Sequence, residues 1–236
     1  MNWTAKIRAS APATFSVSPS SKAAKPGPVA AVAPAANHRV SNSLKEFLWL
    51  ISDVPHARVL DLGPVWQSTV SFFVDKGYRI STEDLLRTWK EYLNAEEERM
   101  RTAPIGEDGE KLSPSMLADK FLEAALQYPE HSLHGILLWD LLDYFDPGVT
   151  PRLMERVCHM LHPGGVALAL FHSRPAERFQ RYRIIDSQTV ELVAAPTLAV
   201  HAHVFQNREI LELFGKFRSS KTFVGRDQVR EALFVR

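Results

Sequence analysis

The run RVLDLG at residues 58–63 constrains this chain more than any other stretch. A short apolar segment passes directly into Gly63, and residues 68–76 then show helical character and end at Gly77, the position expected of a C-terminal cap. Residues 78–82 are compatible with a second strand and are closed by the acidic pair Glu83 and Asp84. A buried strand that runs through glycine into a helix is the usual ligand-facing corner of an open α/β sheet. The crevice lies beyond the strand's C-terminal end, and the helix N-terminus offers unpaired N–H groups to it. Gly63 lets a ligand approach the backbone with no Cβ in the way.

The remaining pattern continues this alternation. Leu44, Phe47, Leu48 and Ile51 recur at helical spacing, with Ser43 as N-cap candidate. Residues 87–101 are helical and highly charged, and their run 96–99 reads as a solvated face. Pro104, Gly106 and Gly109 mark a loop before another helix at 114–128. Residues 135–139 read as a strand buried on both faces. A helix over 150–161 leads through the turn LHPGG at 161–165 into an apolar strand at 166–171. Residues 181–186 and 189–193 alternate across a short turn, as a hairpin does. A helix at 208–214 follows, with Asn207 as N-cap candidate, and then strands at 217–224 and 229–235. We therefore expect one α/β domain over residues 43–236. Its core is a Rossmann-like, mostly parallel sheet with helices on both faces and an antiparallel C-terminal strand pair.

Residues 1–42 differ in kind, being rich in Ala, Pro and Ser without a helical or strand period. They are expected to be a disordered tail, with organelle targeting as the alternative use of a basic, acid-free segment. Six of the 28 Lys and Arg residues precede Glu46, whereas all 27 acidic residues lie from Glu46 onward, so residues 46–236 carry about five net negative charges. An acidic domain argues against duplex nucleic acid as partner. No apolar run is long enough to predict a membrane span. The single cysteine, Cys158, excludes an internal disulfide and suits a reducing, cytoplasmic setting. His201 and His203 share a strand parity, but no third ligand at diagnostic spacing joins them, and no metal is expected.

Taken together, RVLDLG at 58–63, GYRISTED at 77–84, the fourth-strand region at 128–145 and LHPGG at 161–165 resemble class I S-adenosylmethionine-dependent methyltransferases. The resemblance covers most of residues 57–172. It implies S-adenosylmethionine as cofactor, with Asp61 and Gly63 in the first motif. Asp84, or next to it Glu83, would take the ribose hydroxyls, and a carboxylate there can accept two hydrogen bonds from a diol. Trp139 and Asp140 would line the pocket; Trp139 could stack on adenine or serve the core, and Asp140 could orient substrate or cap the short helix that follows. Asp143, like Asp140, could position a nucleophilic substrate or act as a general base. The implied activity is methyl transfer to a small-molecule acceptor, with no catalytic base assigned.

The sequence departs from the family pattern in three places. Val65 and Gln67 stand where further glycines are usual, with Trp66 between them, and Pro64 removes one N–H. His134 replaces a frequent Asp, and helix 114–128 occupies the stretch where a third strand belongs. Two accounts follow: a reshaped pocket in which Ser68 or Thr69 supplies hydroxyls, or a non-catalytic interaction or regulatory module whose pocket is filled by its own side chains, Trp66 above all. A nicotinamide dehydrogenase is disfavoured, because its glycine fingerprint would need glycine at Val65 and Ser68.

Overall fold

The computed structural model describes residues 37–102, 113–199, 203–225 and 227–236. Most of the tail, the loop glycines Gly106 and Gly109, and His201 lie outside the described residues. Nine strands and six helices are described: β1 Asn37–Val40, α1 Asn42–Leu50, β2 Arg58–Asp61, α2 Gln67–Asp75, β3 Arg79–Thr82, α3 Leu85–Thr102, α4 Pro114–Ala125, β4 Leu133–Trp139, α5 Thr150–Met160, β5 Leu161–His172, β6 Gln180–Ile184, β7 Thr189–Ala194, α6 Asn207–Leu213, β8 Ser219–Val224 and β9 Val229–Val235. A single 3-10 turn, Leu141–Tyr144, follows β4.

The main sheet has the order β3-β2-β4-β5-β9-β8. Its first four strands are parallel, and β9 and β8 run antiparallel to their neighbours. The fold is Rossmann-like. The chain leaves β2 outward to β3 and then returns across the sheet to β4, so the order reverses between β2 and β4, and a crevice opens at their C-terminal ends. No strand lies between β3 and β4 in the described sequence; α3 and α4 occupy that stretch.

Two apolar clusters cover the two faces. One joins α3, α4, α5 and α6 to the sheet through Trp89, Phe121, Leu153 and Ile210. The other joins α1 and α2 through Phe47 and Phe73. Phe47 packs so closely on β4 that a Cβ at Gly135 would lie 2.4 Å from its Cζ, which explains a glycine inside a central strand.

Three local features differ from the sequence expectation. The cap of α1 is Ser41, whose hydroxyl accepts from Leu44 N at 3.1 Å, while Ser43 is a buried helical residue. Gln206 precedes α6, and Asn207 is its first residue; Glu209 reaches back to accept from Gln206 N at 2.6 Å. The run at 161–165 is an irregularity within β5: Leu161 pairs with Leu133, and pairing resumes at Val166 with Gly135. The larger surprise is a second sheet, antiparallel, in the order β1-β7-β6. Asn37–Val40, which composition groups with the tail, pair with Thr189–Leu192 of the hairpin. A four-residue strand has too little hydrophobic pattern to stand out, so its partner decides its conformation.

Candidate functional site

The crevice at the ends of β2 and β4 collects the residues singled out above. Asp61 ends β2 and is 1% exposed. One of its oxygens, Oδ1, accepts two hydrogen bonds, from Gly63 N at 2.9 Å and from the Trp139 indole Nε1 at 2.7 Å. Burial lifts its pKa to about 6, against the opposing pull of those two donors. Gly63 is tightly enclosed, since a Cβ would lie 3.1 Å from both Asp61 Oδ1 and Trp139 Cδ1 and those side chains would have to give way.

Trp139 ends β4 in a left-handed conformation, φ 52°, which turns its ring back across β2. It is buried and stacks on Tyr182 of β6, with ring centroids 5.5 Å apart and planes within 6°. Asp140 follows, also buried, and accepts from the Tyr182 hydroxyl at 3.2 Å. Its pKa is likewise pushed up to about 6, chiefly by burial. Although it precedes the 3-10 turn, its side chain makes no capping bond there. Asp143 is fully buried, and its Oδ2 accepts from His172 N at 2.8 Å and from His172 Nδ1 at 2.9 Å. Burial pulls His172 down, but the Asp143 bond and the Asp140 charge outweigh it, and its pKa lies above the usual value.

Glu83 and Asp84 part company. Glu83 N donates to Asp61 O at 2.8 Å, while its carboxylate accepts from the Tyr128 hydroxyl at 3.5 Å. Asp84 accepts from the Arg181 guanidinium Nη2 at 2.7 Å, with both side chains largely buried. Arg181 and Tyr182 are adjacent on β6, so one hairpin strand meets the carboxylates at both strand ends. Thr69 also joins this arrangement: its hydroxyl accepts from Ile184 N at 3.0 Å, which fastens α2 to the hairpin.

The result is a crevice closed by the chain itself. The space between Gly63, Trp139, Tyr144, Arg181 and Tyr182 amounts to about 10 Å³. That is no more than one water needs, whereas drug- or cofactor-sized ligands occupy sites of roughly 300–1,000 Å³. Trp66 is not the residue that fills it. It stands beside the N-terminus of α2, half-buried, with the Arg183 guanidinium 5.7 Å from its ring centre. Val65 points to solvent, and Gln67 bonds Ser71 at 3.2 Å. Sequence reasoning missed Arg181 and Tyr182. Their alternation marked a hairpin with a buried face, but nothing local shows which distant carboxylates that face meets.

Among the described residues no group of three His, Cys, Asp or Glu is placed to hold a metal ion, and no helix is long and apolar enough to cross a membrane. His203 pairs with Glu209 at 3.0 Å. Neither a protein-family model nor a curated protein matches the chain. Solved structures that it resembles include a Burkholderia thailandensis 1,6-didemethyltoxoflavin N1-methyltransferase with bound S-adenosylhomocysteine, at 14% identity and a TM-score of 0.42 over 83% of this chain and 79% of that one. A Methanosarcina mazei S-adenosylmethionine-dependent methyltransferase is similar at 15% identity and a TM-score of 0.40, over 77% of this chain and 92% of its own. A glycopeptide N-methyltransferase complexed with S-adenosylmethionine gives 15% identity and a TM-score of 0.37, over 86% and 97%. Likeness at this level carries no assignment of activity to this chain.

Proposed function

We propose that this chain is a non-catalytic interaction or regulatory domain built on a methyltransferase-like sheet, with its cofactor crevice closed by its own hairpin. One observation carries this reading: the carboxylates at the ends of β2, β3 and β4 are each engaged by a side chain of this same chain, Asp61 by Trp139, Asp84 by Arg181 and Asp140 by Tyr182. Opening the crevice means withdrawing Tyr182, Ile184 and Val190 from the core, and each such side chain is worth about 1.5–3 kcal/mol of burial. A total of about 5 kcal/mol lowers an intrinsic affinity by three to four powers of ten, roughly from micromolar to millimolar and beyond. The lone buried Cys158 suits work in the cytoplasm.

A second reading is S-adenosylmethionine-dependent methyl transfer to a small-molecule acceptor, with Asp61, Gly63, Asp84, Glu83, Trp139 and Asp140 around the cofactor. It is favoured by the placement of Asp61 and Asp84 at the C-terminal ends of neighbouring strands on either side of Gly63. The cofactor would bring a methyl group that is already electrophilic, and the chain's part would be to hold the acceptor in line and exclude water. In that case the hairpin must swing aside, releasing Asp84 from Arg181.

Calorimetric titration of the full chain with S-adenosylmethionine and S-adenosylhomocysteine separates the two. Absence of saturable heat up to about 1 mM fits the closed domain. Micromolar binding that disappears in Asp84→Ala overturns it in favour of the transferase.

A further inference from the structure

Beyond the closed crevice, the small sheet borders a second and larger cavity, about 370 Å³, where β1 approaches the end of β5 and the start of β9. Its lining includes three arginines, Arg39, Arg174 and Arg178, against two carboxylates, Asp227 and Glu177. Glu231, which pairs with Arg39 behind the cavity wall, brings the carboxylates to three, so the charges around the cavity balance. Arg174 and Arg178 are exposed, and Arg174 is only loosely paired, 3.9 Å from Glu177.

Arg39 is the unusual member. Its side chain is 8% exposed, and its Nη2 donates to Glu231 at 2.6 Å. Glu231 is shared, since it also accepts from the Ser41 hydroxyl at 3.1 Å and from Ser43 N at 2.8 Å. The Nε and Nη1 groups of Arg39 are buried and meet no hydrogen-bond acceptor among the described residues. Nη1 has only an ion-pair contact with Asp227 Oδ2 at 3.3 Å, and the Asp227 side chain is 44% exposed. Buried guanidinium donors without acceptors are uncommon because their desolvation goes uncompensated. An oxyanion that took the place of the exposed Asp227 carboxylate would supply Nη1 with an acceptor, and Arg174 and Arg178 would close on its outer side.

We propose that this cavity is a binding site for a small phosphate monoester, whose oxyanion is held by Arg39, Arg174 and Arg178 where the Asp227 carboxylate now sits. A phosphate offers more acceptor oxygens to Arg39, Arg174 and Arg178 than one carboxylate does, and the cavity leaves room for a small organic group beyond it. Asp227 is then an internal competitor for the ligand.

The test is calorimetry on the full chain with glycerol 3-phosphate, inorganic phosphate and glycerol. The expected result is saturable binding of glycerol 3-phosphate, weaker binding of inorganic phosphate, and none of glycerol. Arg174→Gln with Arg178→Gln, two exposed changes that spare the core, should weaken the ester by at least about tenfold. Asp227→Asn should tighten it several-fold, because the amide still accepts from Val229 N but no longer competes as an anion. No saturable binding by the wild-type chain, or undiminished binding by the arginine double variant, overturns the proposal. Inorganic phosphate binding as tightly as the ester overturns the ester and leaves the free ion as ligand.

Discussion

The two hollows beside the small sheet are opposites. On the β6 side, acids and donors answer one another within the chain, and about 10 Å³ is left between them. On the β1 side, a cavity of about 370 Å³ is lined by three arginines, and one of them, Arg39, is buried with two nitrogens that make no hydrogen bond among the described residues. The strand β6 borders both, through Arg181 and Tyr182 on one side and Gln180 on the other. What separates them is whether each buried donor finds its acceptor at home. Internal complementarity closes a site, because a ligand must beat contacts that are already made without loss of translational freedom. Buried donors without acceptors leave a site for which a ligand is the missing partner. Changes to the closed side are therefore expected to be large, and those at its exposed margin small.

Trp139 is where the closed side should break most easily. Trp139→Ala removes a buried ring, its stack on Tyr182, and the donor to Asp61, which stays buried with one bond fewer. The expected loss is about 3–5 kcal/mol in denaturant unfolding. A loss below about 1 kcal/mol would mean that the crevice is held shut by something other than these contacts. Arg181→Ala combined with Tyr182→Ala asks the converse question by removing the plug. If the crevice is merely occupied, S-adenosylhomocysteine affinity should rise by about 100-fold or more over the wild-type chain, read by calorimetry. If the folded double variant still binds nothing, the hairpin is not the only barrier, and Trp139 or the loop from Pro64 to Gln67 keeps the cofactor out.

Much of the main sheet was legible because its signals are local. The run 58–63, the strand at 135–139 and the C-terminal pair carry their own apolar patterns, and the observed strands fall within a few residues of them. The missing third strand was also visible, as helical sequence at 114–128 in its place. The small sheet was not. β1 is four residues long and has no period to detect; it is a strand because Thr189–Leu192 offer it a ladder. At the crevice, the sequence pointed to Trp66 as the residue to fill it, since Trp66 occupies the loop. The structure uses Trp139 and Tyr182 instead. Their meeting depends on a left-handed turn at Trp139 and on a hairpin more than forty positions away, which no local spacing encodes.

Asp61 offers a test, through stability, of how tightly the crevice is closed. Its pKa rises from 3.8 to about 6 on folding, so the folded chain holds a proton in the range where the unfolded chain has lost it. The sign follows: this group favours the fold fully below about pH 4, and the benefit is lost as pH rises toward 6. Asp140 moves in the same direction, and His172, also raised, loses its contribution as pH climbs through its folded value. The chain should therefore melt at a higher temperature at pH 5 than at pH 8. Asp61→Asn should remove part of that slope and stabilise the chain at pH 8 by about 1–3 kcal/mol. The amide oxygen can keep both existing bonds, because Gly63 and Trp139 share a single acceptor atom. Destabilisation by Asn at pH 8 would instead show that the ionised carboxylate contributes to the fold and that burial does not dominate at Asp61.

The smallest effect expected concerns the second arginine on Asp84. Arg87 approaches the other carboxylate oxygen at 3.6 Å, one helical turn along α3, but its side chain is 62% exposed. Arg181 reaches the same carboxylate at 2.7 Å with a side chain 11% exposed. An exposed pair gains little, because water and salt screen the attraction and ordering the long side chain costs entropy. Arg87→Ala should therefore change unfolding free energy by no more than about 0.5 kcal/mol, and should leave the crevice closed, with no gain in S-adenosylhomocysteine binding. A change as large as that from removing Arg181 would show that charge near Asp84, rather than the buried fit of the hairpin, holds the crevice shut. The two arginines differ in burial far more than in charge, so the pair isolates the physical cause of the closure.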